Sequence, residues 1–165
     1  MLFLTFDKAE GLVGGTTDAE QSKTGASEIT SFQFGAGTGV SKESGGLKAS
    51  VVSLSDVTLS KSFDAMSPPL FAACSRGAKL PKASVIFAKP NADATSGAIP
   101  YLTILMENAV ISGVSWSSGG EMPSESISLT YEKITFTYEA PPTTAKEGQG
   151  KPVVTGWDAM KNVKI

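Results

Sequence analysis

Histidine is absent from this chain, and cysteine occurs once. Without an imidazole there is no Ser-His-Asp or Cys-His mechanism, because both need that ring as the base. A zinc site needs four good ligands, which one Cys without His does not supply. A disulfide framework needs paired cysteines, so the chain holds no internal staple and gives no sign of its redox compartment. Charge is also scarce: 18% of the 165 residues are charged, and 14 basic against 16 acidic side chains leave a net charge of −2. That balance does not suit a protein that binds nucleic-acid backbones. Long apolar runs are missing too. No stretch approaches the ~20 residues of a membrane span. The opening Met1-Leu2-Phe3-Leu4-Thr5-Phe6-Asp7 lacks the basic start and long apolar run of a secretory leader. The expectation is a protein that is not an enzyme, has no cofactor, and binds neither nucleic acid nor membrane.

What is present is globular. Hydrophobic residues make up 41% of the chain, and at this length roughly 70% of the extended surface is buried on folding. Ser, Thr and Gly together form about a third of the chain, well above ordinary usage. One domain over residues 1–165, rich in strands and turns, is expected.

The prevailing period is 2. Leu2, Leu4 and Phe6 alternate with Phe3, Thr5 and Asp7 in an opening strand. In Ile29-Thr30-Ser31-Phe32-Gln33-Phe34 the two Phe point one way, and Ser31 and Gln33 the other. Gly35, Gly37 and Gly39 then open a Gly/Ser-rich loop that runs to Gly46. Leu47 to Phe63 is strand-like, with a bend near Ser53, Ser55 and Asp56. Ala83–Ala88, Tyr101–Glu107 and Val110–Trp116 follow as strands, with a hairpin loop from Pro90 to Ala98. Beyond the Gly119-Gly120 turn, a long strand from Glu125 to Glu139 changes its apolar parity: Ile127, Leu129 and Tyr131 are odd, Ile134, Phe136 and Tyr138 even. Either a bulge near Glu132-Lys133 or a strand burying opposite faces at its two ends accounts for this. Pro141 to Pro152 reads as a loop and Val153 to Asp158 as a closing strand.

One segment breaks the pattern. Ser67-Pro68-Pro69-Leu70-Phe71-Ala72-Ala73-Cys74-Ser75-Arg76-Gly77 reads as a short helix over about residues 68–76. Ser67 is the expected N-cap, the prolines suit the first turn, and Gly77 suits the left-handed C′ position. The fold class is therefore mainly β, an antiparallel barrel or sandwich with one short helix on its flank.

Candidate chemistry is thin. Gly35-Ala36-Gly37-Thr38-Gly39 places Val40 where the third glycine of a dinucleotide loop belongs, and no helical pattern follows. Asn91-Ala92-Asp93-Ala94-Thr95 alternates oxygen ligands as a calcium loop does, but Leu102 stands where the closing Glu would be. Cys74 lies on the helix's apolar face with no base to activate it. Glu121 and Glu125 flank the Gly-Gly turn and read as solvated. Trp116 and Trp157 read as core or subunit contacts rather than as a sugar platform.

Taken in order along the chain, the segments resemble the haemolysin-coregulated proteins (Hcp), tube subunits of bacterial type VI secretion systems. The resemblance rests on Glu28-Ile29-Thr30-Ser31-Phe32-Gln33-Phe34-Gly35, and on Val57-Thr58-Leu59-Ser60-Lys61 followed by Asp64 and Ser67-Pro68. The helix, Tyr101-Leu102-Thr103-Ile104, Val110-Ile111-Ser112-Gly113-Val114-Ser115 and Glu125-Ser126-Ile127-Ser128-Leu129-Thr130-Tyr131 carry it further, with Gly156-Trp157-Asp158 and Asn162 at the end. Departures are Gln33 for the common Ser, Phe for Trp at 32 and 34, and a more hydrophobic opening.

The resemblance implies hexameric rings stacked into a tube, with a contractile sheath, a tip or spike protein and small lumenal effectors as partners. It implies assembly in the cytoplasm and then secretion without a cleaved signal peptide. It also implies that the strand bearing Ser31 and Gln33 lines the lumen, making these two the candidate cargo contacts. The loop bearing Gly37, Val40, Lys42 and Gly46 is the candidate subunit contact. A phage-type tail tube protein and a monomeric ligand-binding β-sandwich built around Trp116 or Trp157 are the alternatives.

Overall fold

Period-2 patterning becomes strands almost wherever it occurs. The computed structural model describes residues 1–7, 10–91, 96–141 and 150–165. In chain order its elements are β1 (Leu2–Phe6), a 3₁₀ turn (Gln21–Thr24), β2 (Ser27–Glu28), β3 (Ser31–Gln33), β4 (Ala36–Glu43), β5 (Gly46–Leu54), β6 (Val57–Ser62) and α1 (Ser67–Arg76). Then come β7 (Lys79–Lys89), β8 (Ile99–Ser117), β9 (Ser124–Thr130), β10 (Lys133–Tyr138), β11 (Val153–Asp158) and β12 (Val163–Lys164). The calcium-like residues Ala92 to Thr95 lie outside the described residues, as does 142–149 of the Pro141–Pro152 loop.

The two segments expected around Glu107 and Val110 are one continuous strand. β8 is 19 residues long and organises the main sheet. Along one edge it pairs antiparallel with β7. Along the other, Leu102–Glu107 pairs with β10 and Val110–Ser117 with β9. β9 continues outward to β6 and β3, and β10 to β11 and β12. Ten strands thus form one curled antiparallel sheet, and β4–β5 form a second sheet alone.

The branch point settles the parity change. The ladder breaks at Tyr131-Glu132, opposite Asn108, which takes a left-handed φ of 50°. The Glu132 N–H donates to the Glu107 carbonyl at 3.1 Å, and Asn108 Nδ2 to Glu132 Oε2 at 2.8 Å. An interrupted strand shifts its parity, so Ile127, Leu129, Tyr131 and Ile134 all enter the same core. Neither expected cause applies: Thr130 faces Val110 and Lys133 faces Glu107, so two residues oppose two with none inserted, and both halves of the strand face the same core.

The sheet curls around that core without closing into a continuous ladder. Residues 27–33 cross between its arms: β2 pairs with β1, β3 pairs with β6, and between them the N–H groups of Ile29 and Thr30 donate to the Leu2 and Ser60 carbonyls. Leu4, Leu59, Val85, Met106 and Leu129 are fully buried there. Phe3, placed by alternation on the polar side of β1, is fully buried as well. It packs with Ala26, Ala88 and Ala98, because the 12–26 loop covers that side through Gly14 N–H to Gly25 and Thr16 N–H to Ala26.

Helix α1 plugs one side of the core through Leu70 and Ala73; burying a leucine fully contributes about 1.5–3 kcal/mol. It ends at Gly77, whose left-handed φ of 60° lets its N–H reach the Cys74 carbonyl. Ser67 is not the N-cap. Met66 holds that position, and Ser67 begins the helix with its hydroxyl turned inward.

Candidate assembly surfaces

The glycine-rich segment 35–46 is not a loop. Ala36–Glu43 and Gly46–Leu54 pair into a projecting hairpin whose turn, at Ser44-Gly45, is completed by Gly46 with φ 118°. Glycine disfavours strands through entropy and lost packing, but the ladder bonds come from the backbone and form regardless. The register sets Ala36, Thr38, Val40 and Lys42 opposite Leu54, Val52, Ala49 and Leu47. One face is therefore mostly apolar, and the other carries Gly37, Ser53, Ser41, Lys48 and Glu43. Leu54 packs on the core and Val52 is half-buried, yet all of β4 is exposed, with Val40 at 60% and Leu47 at 73%. A lone two-stranded hairpin is marginal in water, and an amphipathic one with an uncovered apolar side calls for a partner surface. Of the four residues predicted to contact a neighbour, Val40 and Lys42 share the apolar side, Gly37 lies on the other, and Gly46 serves the turn.

Ser31 and Gln33 stand exposed on β3, while Phe32 and Phe34 turn inward as alternation requires. Phe32 meets Phe87 edge-on at 5.4 Å, and Phe34 lies 5.4 Å from Phe136. The strands beside β3 extend this polar face. Ser31, Ser60, Ser126 and Ser115 form one cross-strand row over β3, β6, β9 and β8. Gln33, Thr58, Ser128 and Gly113 form the next. Ser62, Ser124 and Ser117 form a third, where the Ser117 and Ser124 hydroxyls lie 3.0 Å apart. At one end Asp56 accepts from the hydroxyls of Thr130 (3.0 Å) and Ser112 (3.1 Å). Nearby the Tyr131 hydroxyl donates to the Ser55 carbonyl at 2.8 Å. Burial and the Asp56 charge raise the Tyr131 pKa to about 12, so it stays a neutral donor.

Beneath the helix lies a cluster that sequence reasoning missed. Glu125, expected to be solvated, is 1% exposed and stands opposite Lys61 in the β6–β9 ladder. Lys61 Nζ contacts Glu125 Oε2 at 2.9 Å and Asp64 Oδ1 at 2.6 Å, and donates to Ser67 Oγ at 2.9 Å. Ser67 Oγ donates in turn to Glu125 Oε2 at 2.9 Å, and Trp116 Nε1 donates to Glu125 Oε1 at 2.6 Å. Ser27 Oγ donates to Asp64 Oδ2. Desolvation is the largest influence on Asp64 and pushes its carboxyl upward. Bonds from Lys61 and Ser27, the Lys61 charge and the Met66 N–H outweigh it, leaving the group below 3.8. The signal was present: Lys61 continues the inward parity of Val57 and Leu59, and Glu125 that of Ile127 and Leu129.

This cluster holds the helix start against the barrel. Over it, Trp116 (45% exposed) packs edge-on to Phe63 at 5.2 Å and tilted to Phe71 at 5.7 Å. Glu121 stays exposed in the 118–123 loop and does not join Glu125. Cys74 is half-buried and Trp157 bonds Asn162 at 3.3 Å. Among the described residues no group of His, Cys, Asp and Glu is arranged to hold a metal ion. No helix there is long and apolar enough to cross a membrane.

The fold defines a class first: an antiparallel β-sandwich curling toward a barrel, with one flanking helix and a projecting amphipathic hairpin. A family model described as "Type VI secretion system effector, Hcp" matches residues 3–138. The chain is 30% identical over 115 residues to protein hcp1 of Pseudomonas aeruginosa, covering 68% of each. A solved type six secretion system protein superposes with a TM-score of 0.83 at 25% identity, over 99% of this chain and 98% of that one. Hcp1 from Salmonella typhimurium shares the fold, with a TM-score of 0.75 at 21% identity over 99% and 97% of the two chains. This chain belongs to the Hcp family of type VI secretion proteins.

Proposed function

We propose that the chain is a structural, non-catalytic subunit of the type VI secretion inner tube. Copies close into six-membered rings, the rings stack, and the lumen carries small effectors toward a tip protein inside a contractile sheath. The observation that carries this reading is the β4–β5 hairpin, an amphipathic arm that no part of its own barrel covers beyond Val52 and Leu54. A head-to-tail contact that closes after a fixed rotation makes a ring, and an arm reaching out of the ring plane makes a stack. In this arrangement Val40 and Lys42 meet a neighbouring copy, while Ser31 and Gln33 face the lumen. Assembly takes place in the cytoplasm, and export needs no cleaved leader. Family membership favours this over a phage-type tail tube or a monomeric ligand-binding sandwich.

Electron microscopy of the purified protein, with light scattering over a concentration series, tests the architecture. Six-fold rings are expected; a monomer at every concentration overturns it. Gln33→Lys is expected to impair cargo retention with rings intact.

A further inference from the structure

The β4–β5 hairpin and the aromatic group around Trp116 stand at opposite ends of the same strands. The hairpin leaves the sheet between Gln33, the last residue of β3, and Val57, the first of β6. From Val57, which faces Leu129, the ladder runs to Ser62, which faces Ser124; Ser124 in turn faces Ser117, the neighbour of Trp116. At that far end Trp116 packs against both Phe63 and Phe71. The Phe63 N–H donates to the Pro123 carbonyl at 2.9 Å and ties down the loop that carries Met122. Phe71 is 57% exposed and Met122 73%. A hollow of about 570 Å³, lined by Ser117, Gly119, Glu121 and Met122, opens at the same strand ends.

We propose that this end of the subunit is the seat for the hairpin of the next copy along the tube axis. The proposal rests on the tube reading above and names the surface that receives the arm. Arm and seat are different surfaces at opposite ends, so each added copy leaves one arm and one seat free, and the contact is open-ended. Sidedness agrees. The apolar side of the hairpin continues the core side of the sheet, because Leu54 packs on the core. Trp116 points to that same side, where its indole bonds the buried Glu125. An end-on approach that keeps the polar side of the sheet continuous therefore slides Val40 and Leu47 under Trp116 and Phe71.

Charge agrees as well. Lys42 is the cation on the apolar side of the arm. The seat carries the exposed Glu121 above a cluster in which Lys61 meets two carboxylates, Asp64 and Glu125. This attraction is screened by salt, so it orients the arm more than it holds it. Size sets the strength. Val40 and Leu47 against Phe71, Trp116 and Met122, at roughly 100 Å² each, bury on the order of 500 Å². A stable pair needs about 1,200 Å² or more, so a single arm binds weakly, whereas six arms around one ring act together. Stacks therefore grow from closed rings rather than from single subunits.

Cross-linking tests the pairing. Leu47→Cys and Met122→Cys are placed together in a Cys74→Ser chain, and the assembled protein is oxidised in air and run on a denaturing gel without reductant. Covalent ladders extending past six copies are expected, each a column through successive rings. A ladder that stops at six puts the contact inside one ring and overturns the proposal, as do tubes that give no ladder. Phe71→Ser, a change at an exposed position, is expected to raise the concentration at which stacks sediment about tenfold or more, with six-fold rings intact. Stacking of this variant at the wild-type concentration overturns the proposal and leaves the tube reading standing. Wild-type protein that forms no rings overturns the tube reading itself, and this proposal with it.

Discussion

Replacing Lys61 with Met keeps most of the side-chain volume and removes the cation that neutralises the cluster under the helix. Lys61 is 1% exposed and meets two carboxylates, Glu125 at 2.9 Å and Asp64 at 2.6 Å. Without it two negative charges face each other, and Ser67 loses one of its donors. Breaking a buried pair by deleting one partner costs about 3–5 kcal/mol, mostly because the remaining charge is left buried and uncompensated. Against a total stability of about 5–15 kcal/mol, this is a large fraction. At about 2–4 °C per kcal/mol for a chain of this size, Tm falls by about 6–20 °C. Urea unfolding followed by tryptophan emission measures the loss, and Trp116 reports on the site itself because its indole bonds Glu125. Adding Glu125→Gln to Lys61→Met removes one of the two stranded charges and keeps an oxygen for the Trp116 N–H. The double variant should therefore be more stable than the sum of the two single losses by about 1–3 kcal/mol. A Lys61→Met loss below about 1 kcal/mol, or losses that add within about 0.5 kcal/mol, would refute the view that these groups act as one buried unit.

Asp64 makes the same cluster pH-sensitive. Its folded pKa is depressed, so its stabilisation is complete above the unfolded value and is lost as pH falls through the lower native value. The urea midpoint should drop between about pH 5 and pH 2, and Asp64→Asn should flatten that part of the curve. Gly77→Ala forces a Cβ into the left-handed helix cap and should cost about 1 kcal/mol by thermal unfolding, with the helix otherwise unchanged. Val40→Asp combined with Leu47→Asp changes exposed hairpin positions. Subunit stability should move by less than about 0.5 kcal/mol while ring stacking, followed by sedimentation, is lost; intact stacking would remove the hairpin from the interface.

The amino-acid sequence alone determined the β class, the helix with its Gly77 stop, and the inward turn of Phe32 and Phe34. These follow from side-chain period and from backbone preferences within a few residues. The parity change after Tyr131 was also legible as an irregularity, although not as a branch of the sheet. The tertiary structure alone decided that Ala36–Glu43 pairs with Gly46–Leu54 as strands, since backbone ladder bonds are indifferent to poor glycine propensity. It decided that Phe3 is buried on the supposed polar side of β1, because a distant loop covers it. It also decided the roles of Ser67 and Glu125. Local rules made Ser67 a cap and Glu125 a solvated loop residue. Sheet register, which brings together residues 64 positions apart, set Glu125 against the buried Lys61 and drew the Ser67 hydroxyl inward to both.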